Sequence, residues 1–455
     1  MSSGGVDVVV VGLGAGGELA AARLAQAGLD VVAVERDLVG GECPFAGCTP
    51  SKLAIRAAGT LAEARRVDGL AGRADVRPDW APVAARIREA NHDWDDHSHV
   101  RPLREAGVTV VRGHGRLAGP GRVVVDTAEG RTEYAAARGV VLDTGTEPAV
   151  PPIDGLEHTP YWTNREAVRL TELPESLVVL GAGPIGCELA QVFARYGVRV
   201  ALVEAADRIL AAEEPETSRV LAQALRADGV DVRADTRVDR VDHDGTFRLH
   251  TDAGELSAAA LLVATGRRPN LGDVGLETVG LDPEVERLDT DERMRAGERL
   301  WAVGDITGRG EYTHVSLYQA GVAVRDVLGE DGPWADYRAV SRVTFTDPEV
   351  GSVGLTEQQA RDAGLRVRVG RADVAESSRG WIHGPGGDGH VKLVADADRE
   401  VLVGASAVGP AGGEVLGLLA AAVHAEIPLA TLCRMHFAYP TFHRVVLAAL
   451  VDLDT

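Results

Sequence analysis

Lysine is almost absent from this chain. Of 47 basic side chains only Lys52 and Lys392 are lysine, which leaves 45 arginines. Arginine fills nearly every position that wants positive charge. A lysine directly after a cysteine pair therefore points to a place that needs a compact ammonium on a flexible stem. Cysteine is scarce as well. Four cysteines in 455 residues are too few for a disulfide scaffold, and their sparseness without an export signal predicts a reducing, cytoplasmic setting. No signal peptide is visible, because residues 1–5 lead straight into the apolar residues 6–11. Long hydrophobic runs are missing too. The longest candidate, residues 415–423, has the length of a buried helix and ends at His424, so no membrane span is expected. Positive charge is in deficit, at a net −21, which argues against nucleic acid or an anionic membrane surface as partner.

What is present suits a globular protein: 45% hydrophobic and 25% charged residues, in a chain long enough for three ordinary domains. Residues 6–11 form an apolar strand. Gly12-Leu13-Gly14-Ala15-Gly16-Gly17 follows, then a helical stretch over 18–27 and a second strand over 30–34 that ends in Glu35. This is a βαβ unit with a G-x-G-x-x-G turn and an acid 23 positions after the first glycine. The glycines let the backbone approach a pyrophosphate at the helix N-terminus, and Glu35 can accept hydrogen bonds from a ribose diol. The unit recurs. Strand 176–180 leads into Gly181-Ala182-Gly183-Pro184-Ile185-Gly186, helix 188–196 and strand 198–203, ending in Glu204, again 23 positions on. Two such units imply two dinucleotides, FAD and NAD(P)H.

Cys43 and Cys48 stand in a C-x4-C arrangement within Gly40-Gly41-Glu42-Cys43-Pro44-Phe45-Ala46-Gly47-Cys48-Thr49-Pro50-Ser51-Lys52. In a chain so poor in cysteine this pair reads as catalytic rather than structural. A dithiol beside a redox cofactor can take up two electrons and pass them on. A helix beginning after Thr49-Pro50 would set its positive end near Cys48 and lower a thiol pKa. Residues 140–146, containing Asp143-Thr144-Gly145, and 261–270, containing Gly266, each read as a strand running into a tight turn. Residues 300–307 are a strand running into Gly304-Asp305.

The cysteine segment resembles the redox-active disulfide of the dihydrolipoamide dehydrogenase, glutathione reductase and mercuric reductase family, the class I pyridine nucleotide-disulfide oxidoreductases. The resemblance covers essentially the whole chain. It implies an α/β fold with two Rossmann-like, three-layer dinucleotide-binding domains and a C-terminal α+β dimerisation domain. The implied boundaries are 1–150 for the first FAD part, 151–268 for NAD(P), 269–336 for the central FAD part and 337–455 for dimerisation. It assigns Gly12, Gly14, Gly17, Glu35, Gly41, Thr144, Gly145, Gly304 and Asp305 to FAD, and Gly181, Gly183, Gly186, Glu204 and Gly266 to NAD(P). Cys48 becomes the flavin-proximal thiol and Cys43 the interchange thiol that meets substrate. Lys52 reaches the flavin N5 region and pairs with Glu188. The partners implied are a small-molecule substrate and a second copy of the chain. Glu204 bonds a ribose 2′-hydroxyl but repels a 2′-phosphate, which predicts a preference for NADH; Arg208, four residues on, could soften it.

The pattern breaks in three places. Asp143 stands where the family usually has alanine. The family's disulfide reductases carry His-Pro-Thr-x-x-Glu near the C-terminus, whereas this chain has Tyr439-Pro440-Thr441-Phe442-His443-Arg444. Tyrosine is a poor base at neutral pH, and losing a general base costs ~10²–10⁴ in rate, which puts ordinary lipoamide or glutathione chemistry in doubt. His443, one helical turn after Tyr439, is a second candidate for the lost base. Mercuric reductases also carry tyrosine there, but their C-terminal cysteine pair has no counterpart in Leu453-Asp454-Thr455. The leading expectation is electron transfer between NAD(P)H and an atypical disulfide or thiol-type small molecule through Cys43–Cys48. An NAD(P)H:quinone-type reductase using the flavin directly, and the carboxylating chemistry of the 2-ketopropyl-coenzyme M branch, remain open. Cys187 and Cys433 are expected to pack as small hydrophobes. The His- and Asp-rich residues 91–100 are expected to form a polar helix or loop face without metal, and Glu213, Glu214 and Glu216 a solvated turn and helix start.

Overall fold

The computed structural model describes residues 3–453; Met1-Ser2 and Asp454-Thr455 lie outside the described residues. The chain divides into two compact units, Met1–Pro50 with Ile87–Ala149 and Arg267–Asp336, and Ser51–Arg86 with Val150–Gly266 and Tyr337–Thr455. Residues 51–86 of the expected first FAD part thus belong to the second unit, alongside the expected NAD(P) and dimerisation segments.

The first unit is built on strand β1 (Ser3–Val11), helix α1 (Ala15–Gln26) and strand β2 (Val31–Glu35). Strand β1 lies parallel to β2 on one side and to strand Gly130–Leu142 on the other. Successive side chains of a strand point to opposite faces. Val8 and Val10 enter a core shared with α1 and helix Thr313–Leu328. Val9 and Val11 enter a second core with Leu117, Val123 and Val125 of an antiparallel hairpin. Burial on both faces explains why Val8 to Val11 read as unbroken valine rather than as an alternation. Eight strands join in this sheet: six in one path, and the two strands of that hairpin, which attach through strand Gly130–Leu142.

In the second unit, strand Ser176–Leu180 is flanked by Arg199–Val203 and Ala260–Val263, all parallel. A three-stranded antiparallel meander, Val238–His243, Phe247–Thr251 and Gly254–Ala258, adds a layer. The C-terminal part is a five-stranded antiparallel sheet, whose core includes helices Gly412–His424 and His443–Asp452. Among the described residues, no helix is long and apolar enough to cross a membrane.

Two expectations are corrected here. Glu213 and Glu214 are buried, not solvated. Glu213 grips the Arg342 guanidinium at 2.6 and 3.1 Å, and Glu214 meets Lys392 Nζ at 2.8 Å. Glu216 and Glu357 complete the set around Lys392, at 3.3 and 2.9 Å. Isolated acids at a helix start look solvated in sequence, but here distant cations are folded against them. Cys187 is buried as expected, whereas Cys433 is exposed, because the short helix Leu429–Cys433 buries Leu429 and Leu432 instead.

His390 is fully buried beside this charged cluster, with its Nε2 3.4 Å from Thr217 Oγ1. Burial first, then the Arg371 and Lys392 charges, push its pKa down to about 4, against Glu216 and Asp373. An unfolded-chain histidine titrates near 6.5, so between those values the unfolded chain binds more protons. The contribution is present above pH 6.5 and is lost as pH falls towards 4, to a total of about 3 kcal/mol. Denaturant midpoints measured from pH 7 to 4 should fall with that slope and flatten in His390→Gln; an identical slope in the variant would remove this account.

Candidate active site

The glycine turn after β1 is fixed by contact. Gly12 has φ +92°, and a Cβ there would lie 2.2 Å from the Asp143 carbonyl oxygen. A Cβ on Gly17 would lie 2.1 Å from the Gly12 carbonyl. The second turn repeats this: Gly181 has φ +98° and abuts the Ala264 carbonyl, and Gly186 abuts that of Gly181. Only glycine fits such positions. Gly14 and Gly183 head α1 and helix Pro184–Arg195, neither with a side-chain cap, so first-turn N–H groups remain for an anion.

The two acids sit in matching ties. Leu13 N–H donates to Glu35 Oε2 and Asp37 N–H to Oε1, both at 2.7 Å. Ala182 N–H donates to Glu204 Oε2 at 2.7 Å and Ala206 N–H to Oε1 at 2.9 Å. A carboxylate held by two amides keeps lone pairs for ribose hydroxyls. These cradles fit a dinucleotide in each unit. Arg208 is directed to the Ala211 carbonyl and Asp207.

The cysteine segment is tied to the first turn. Gly40 N–H donates to the Leu13 carbonyl at 2.7 Å, and Gly41 packs on Gly14, where an added Cβ would lie 3.1 Å from its Cα. A short helix α2 (Glu42–Phe45) carries Cys43, and helix α3 (Cys48–Arg65) begins at Cys48 itself, a turn earlier than Thr49-Pro50 suggests. Pro50 falls in its first turn, where no N–H is needed. Cys48 Sγ lies 3.5 Å from Thr313 Oγ1. The two thiols hydrogen-bond each other. That bond first, then burial, pushes the Cys43 thiol up, opposed by Thr313. The protons of two coupled thiols come off in separate steps that belong to the pair.

Lys52 Nζ donates to Glu188 Oε2 at 2.8 Å and lies 4.9 Å from the centre of the Phe345 ring. Glu188 is buried, and its Oε1 accepts the Phe345 N–H at 2.8 Å. The expected pair is therefore formed within the second unit.

Gly145 and Gly304 both lie in turns with positive φ. Asp305 Oδ2 accepts the Thr146 hydroxyl at 2.7 Å, Arg267 holds Thr146 at 2.6 and 2.8 Å, and the same guanidinium reaches Glu42 at 3.1 Å. Burial leads the upward shift of Asp305. Thr144 donates its hydroxyl to the Asn270 carbonyl at 2.9 Å, and so braces the crossover. Gly266 has φ +118° and open space around it.

Tyr439 is 68% exposed; its hydroxyl donates to Ser378 Oγ at 3.1 Å and its ring faces Arg444. The helical spacing expected between Tyr439 and His443 is not formed, because the helix starts only at His443. Residues 91–100 make a short turn and the start of helix His97–Glu105. Asp96 is spent on Val39 N–H and Arg112, and His99 on Glu18. Among the described residues no group of three or more His, Cys, Asp or Glu side chains is arranged to hold a metal ion. Sequence reasoning missed Thr313, Arg267 and Glu42. Thr313 lies in no motif, and although Glu42 and Arg267 fall in segments quoted above, only the fold shows that the two meet.

Two dinucleotide cradles and a contacting dithiol define an oxidoreductase that works with a nicotinamide and a flavin. Residues 6–321 match the pyridine nucleotide-disulphide oxidoreductase family, and residues 340–449 its dimerisation domain. The chain belongs to that family, a family of FAD- and NAD(P)H-dependent enzymes. It is 34% identical to a dihydrolipoyl dehydrogenase of Halobacterium salinarum, over 98% of this chain and 96% of that one. It is 33% identical to a mercuric reductase of Shigella flexneri, over 97% and 79%. A Cu(II) complex of the HOCl-induced flavoprotein disulfide reductase RclA from Escherichia coli superposes with TM-score 0.85 at 28% identity, covering 99% of each chain.

Replacing Thr313 by valine removes a hydroxyl from both sulfurs. A hydrogen bond to a charged acceptor contributes about 1.5–3 kcal/mol, reduced here by exposure, so the first thiol ionisation should rise by roughly one pH unit. Thiolate absorbance of the reduced protein against pH measures it, and coincident titrations would dismiss Thr313's role.

Proposed function

We propose that this enzyme carries electrons from NAD(P)H through Cys43 and Cys48 to an acceptor that binds thiolates without exchanging a proton, a soft metal ion being the favoured class. The contact of the two thiols beside Thr313, at the head of α3, carries this reading. Bound FAD supplies two-electron transfer between the nicotinamide and the sulfur pair. Gly12, Gly14, Gly17, Glu35 and Asp305 hold it, with Gly41, Thr144, Gly145 and Gly304 shaping the turns around it. Gly181, Gly183, Gly186, Glu204 and Gly266 hold the nicotinamide dinucleotide. Lys52, held by Glu188 at 2.8 Å, would supply an oriented ammonium for the reaction.

NAD(P)H gives up two electrons and releases one proton, and the Cys43–Cys48 bond opens as the sulfurs take the pair. Thr313 and the α3 N-terminus hold Cys48 as thiolate. Cys43 engages the acceptor. When the sulfur–sulfur bond re-forms, two electrons leave with one metal ion, or one with each of two. Cleaving an organic disulfide is accelerated by an acid–base group that protonates the departing sulfur, a role for which an ordinary tyrosine is poorly matched; reduction of a soft metal ion involves no such proton. The similarity to a mercuric reductase and to RclA, solved with Cu(II), supports this choice. Trp381, Ile382, Met435 and Tyr439 are exposed apolar side chains of the C-terminal part, which supports a homodimer with Tyr439 offered to the partner's site.

Under anaerobic conditions NADH should produce a long-wavelength absorbance from a Cys48 thiolate against oxidised flavin. Hg(II)- or Cu(II)-dependent NADH oxidation should fall at least ~10²-fold in Cys43→Ser. Equal turnover by the variant, with quinones as the better acceptors, would transfer the function to the flavin alone.

The Glu204 carboxylate, pinned toward the ribose position, supports a preference for NADH. The ratio of kcat/KM for NADH over NADPH should exceed one and shrink in Glu204→Ala; a wild-type ratio below one contradicts it.

A further inference from the structure

Asp143 is the chain's departure at the end of strand Gly130–Leu142, and the fold turns its side chain into the first glycine turn. It is buried, and Gly17 N–H donates to its Oδ2 at 2.7 Å. Its other oxygen lies against Gly304, where an added Cβ would be 2.4 Å from Oδ1, and its carboxyl accepts from Ser316. An acid from a neighbouring strand thus occupies one of the first-turn N–H groups of α1, the groups that the Gly14-headed helix offers to a pyrophosphate.

The second βαβ unit serves as an internal control. Asp143 N–H donates to the Val11 carbonyl at 2.8 Å, and Ala264 N–H donates to the Leu180 carbonyl at 2.8 Å. The Asp143 carbonyl abuts Gly12 as the Ala264 carbonyl abuts Gly181. The equivalent residue is therefore alanine, and the same turn forms with no carboxyl inside it. Folding the glycine turn does not require Asp143.

We propose that Asp143 is a positioning residue for the flavin pyrophosphate: as a neutral acid it shares the α1 N-terminus with the anion, and as a carboxylate it opposes the anion, so flavin binding is linked to one proton. This rests on the assignment of the Gly12–Gly17 turn to FAD. Burial, then the Asp305 and Glu35 carboxylates, hold Asp143 well above the ordinary carboxylate range, against the Gly17 amide and Ser316 hydroxyl. Asp305, from the turn after strand Leu300–Ala302, and Glu35, from β2, are the titratable groups facing it. Gly17 of α1 and Ser316 of helix Thr313–Leu328 bring only dipoles.

The sign follows from charge. A bound pyrophosphate makes ionising Asp143 harder, so its pKa is higher with flavin than without. FAD affinity is constant below the flavin-free value, falls tenfold per pH unit between the two, and binding in that window takes up one proton.

The test measures the FAD dissociation constant of the holoenzyme from pH 6 to 10 by flavin fluorescence on release, with circular dichroism to confirm folding. The wild type should show the tenfold-per-unit weakening. Asp143→Asn, which keeps an acceptor for Gly17 but cannot ionise, should bind FAD with no such slope. Asp143→Ala, which cannot ionise and leaves the Gly17 N–H free, should likewise show no slope. Calorimetry of FAD rebinding in buffers of different ionisation enthalpy counts the proton without any variant. A flat wild-type profile, a slope unchanged in Asp143→Asn, or zero proton uptake overturns the proposal while leaving the FAD assignment intact. A wild-type protein that binds no FAD at any pH overturns both.

Discussion

The close approach of a strand-end carbonyl to a glycine at positive φ is the constraint on which the rest depends. At Gly12 and at Gly181 no side chain can fit between the turn and the neighbouring strand. The helix that follows must therefore start where the strand ends, with its N–H groups turned to the space above the sheet. In the first unit the consequences run further. Leu13, fixed by that turn, receives Gly40 on its carbonyl and gives its N–H to Glu35. The cysteine segment is thereby tied to the dinucleotide turn by the bond from Gly40 N–H to the Leu13 carbonyl, with Gly41 packed on Gly14.

The same frame is furnished differently in its two copies. Both acids are tied by two amides at 2.7–2.9 Å. Asp143 has no counterpart in the second copy, where Ala264 leaves the helix end to its own dipoles. An internal repeat separates what the turn needs in order to fold from what one copy adds to it.

The sparing use of lysine has a geometric reason. An ammonium donates in three directions from one atom, whereas a guanidinium donates in a plane. Lys392 Nζ lies within 2.8–3.3 Å of Glu214 and Glu216, from one helix start, and Glu357, from another. Lys52 serves Glu188 while its ammonium lies over the Phe345 ring. Elsewhere planar forks suffice, as where Arg342 takes both oxygens of Glu213.

By itself the sequence determined the two βαβ units, the spacing of glycines to acids and the cysteine pair. These are local periodicities or short motifs, and backbone sterics leave them one conformation. Tertiary structure alone decided the rest. It buried Glu213 and Glu214 by bringing Arg342 and Lys392 onto them, left Cys433 outside, and placed Tyr439 ahead of the helix that carries His443. It also brought Thr313 to the thiols from 265 positions away and turned Asp143 into the glycine turn. A side chain's burial and charge partners depend on elements remote in the chain, and no local pattern encodes which of those elements will arrive.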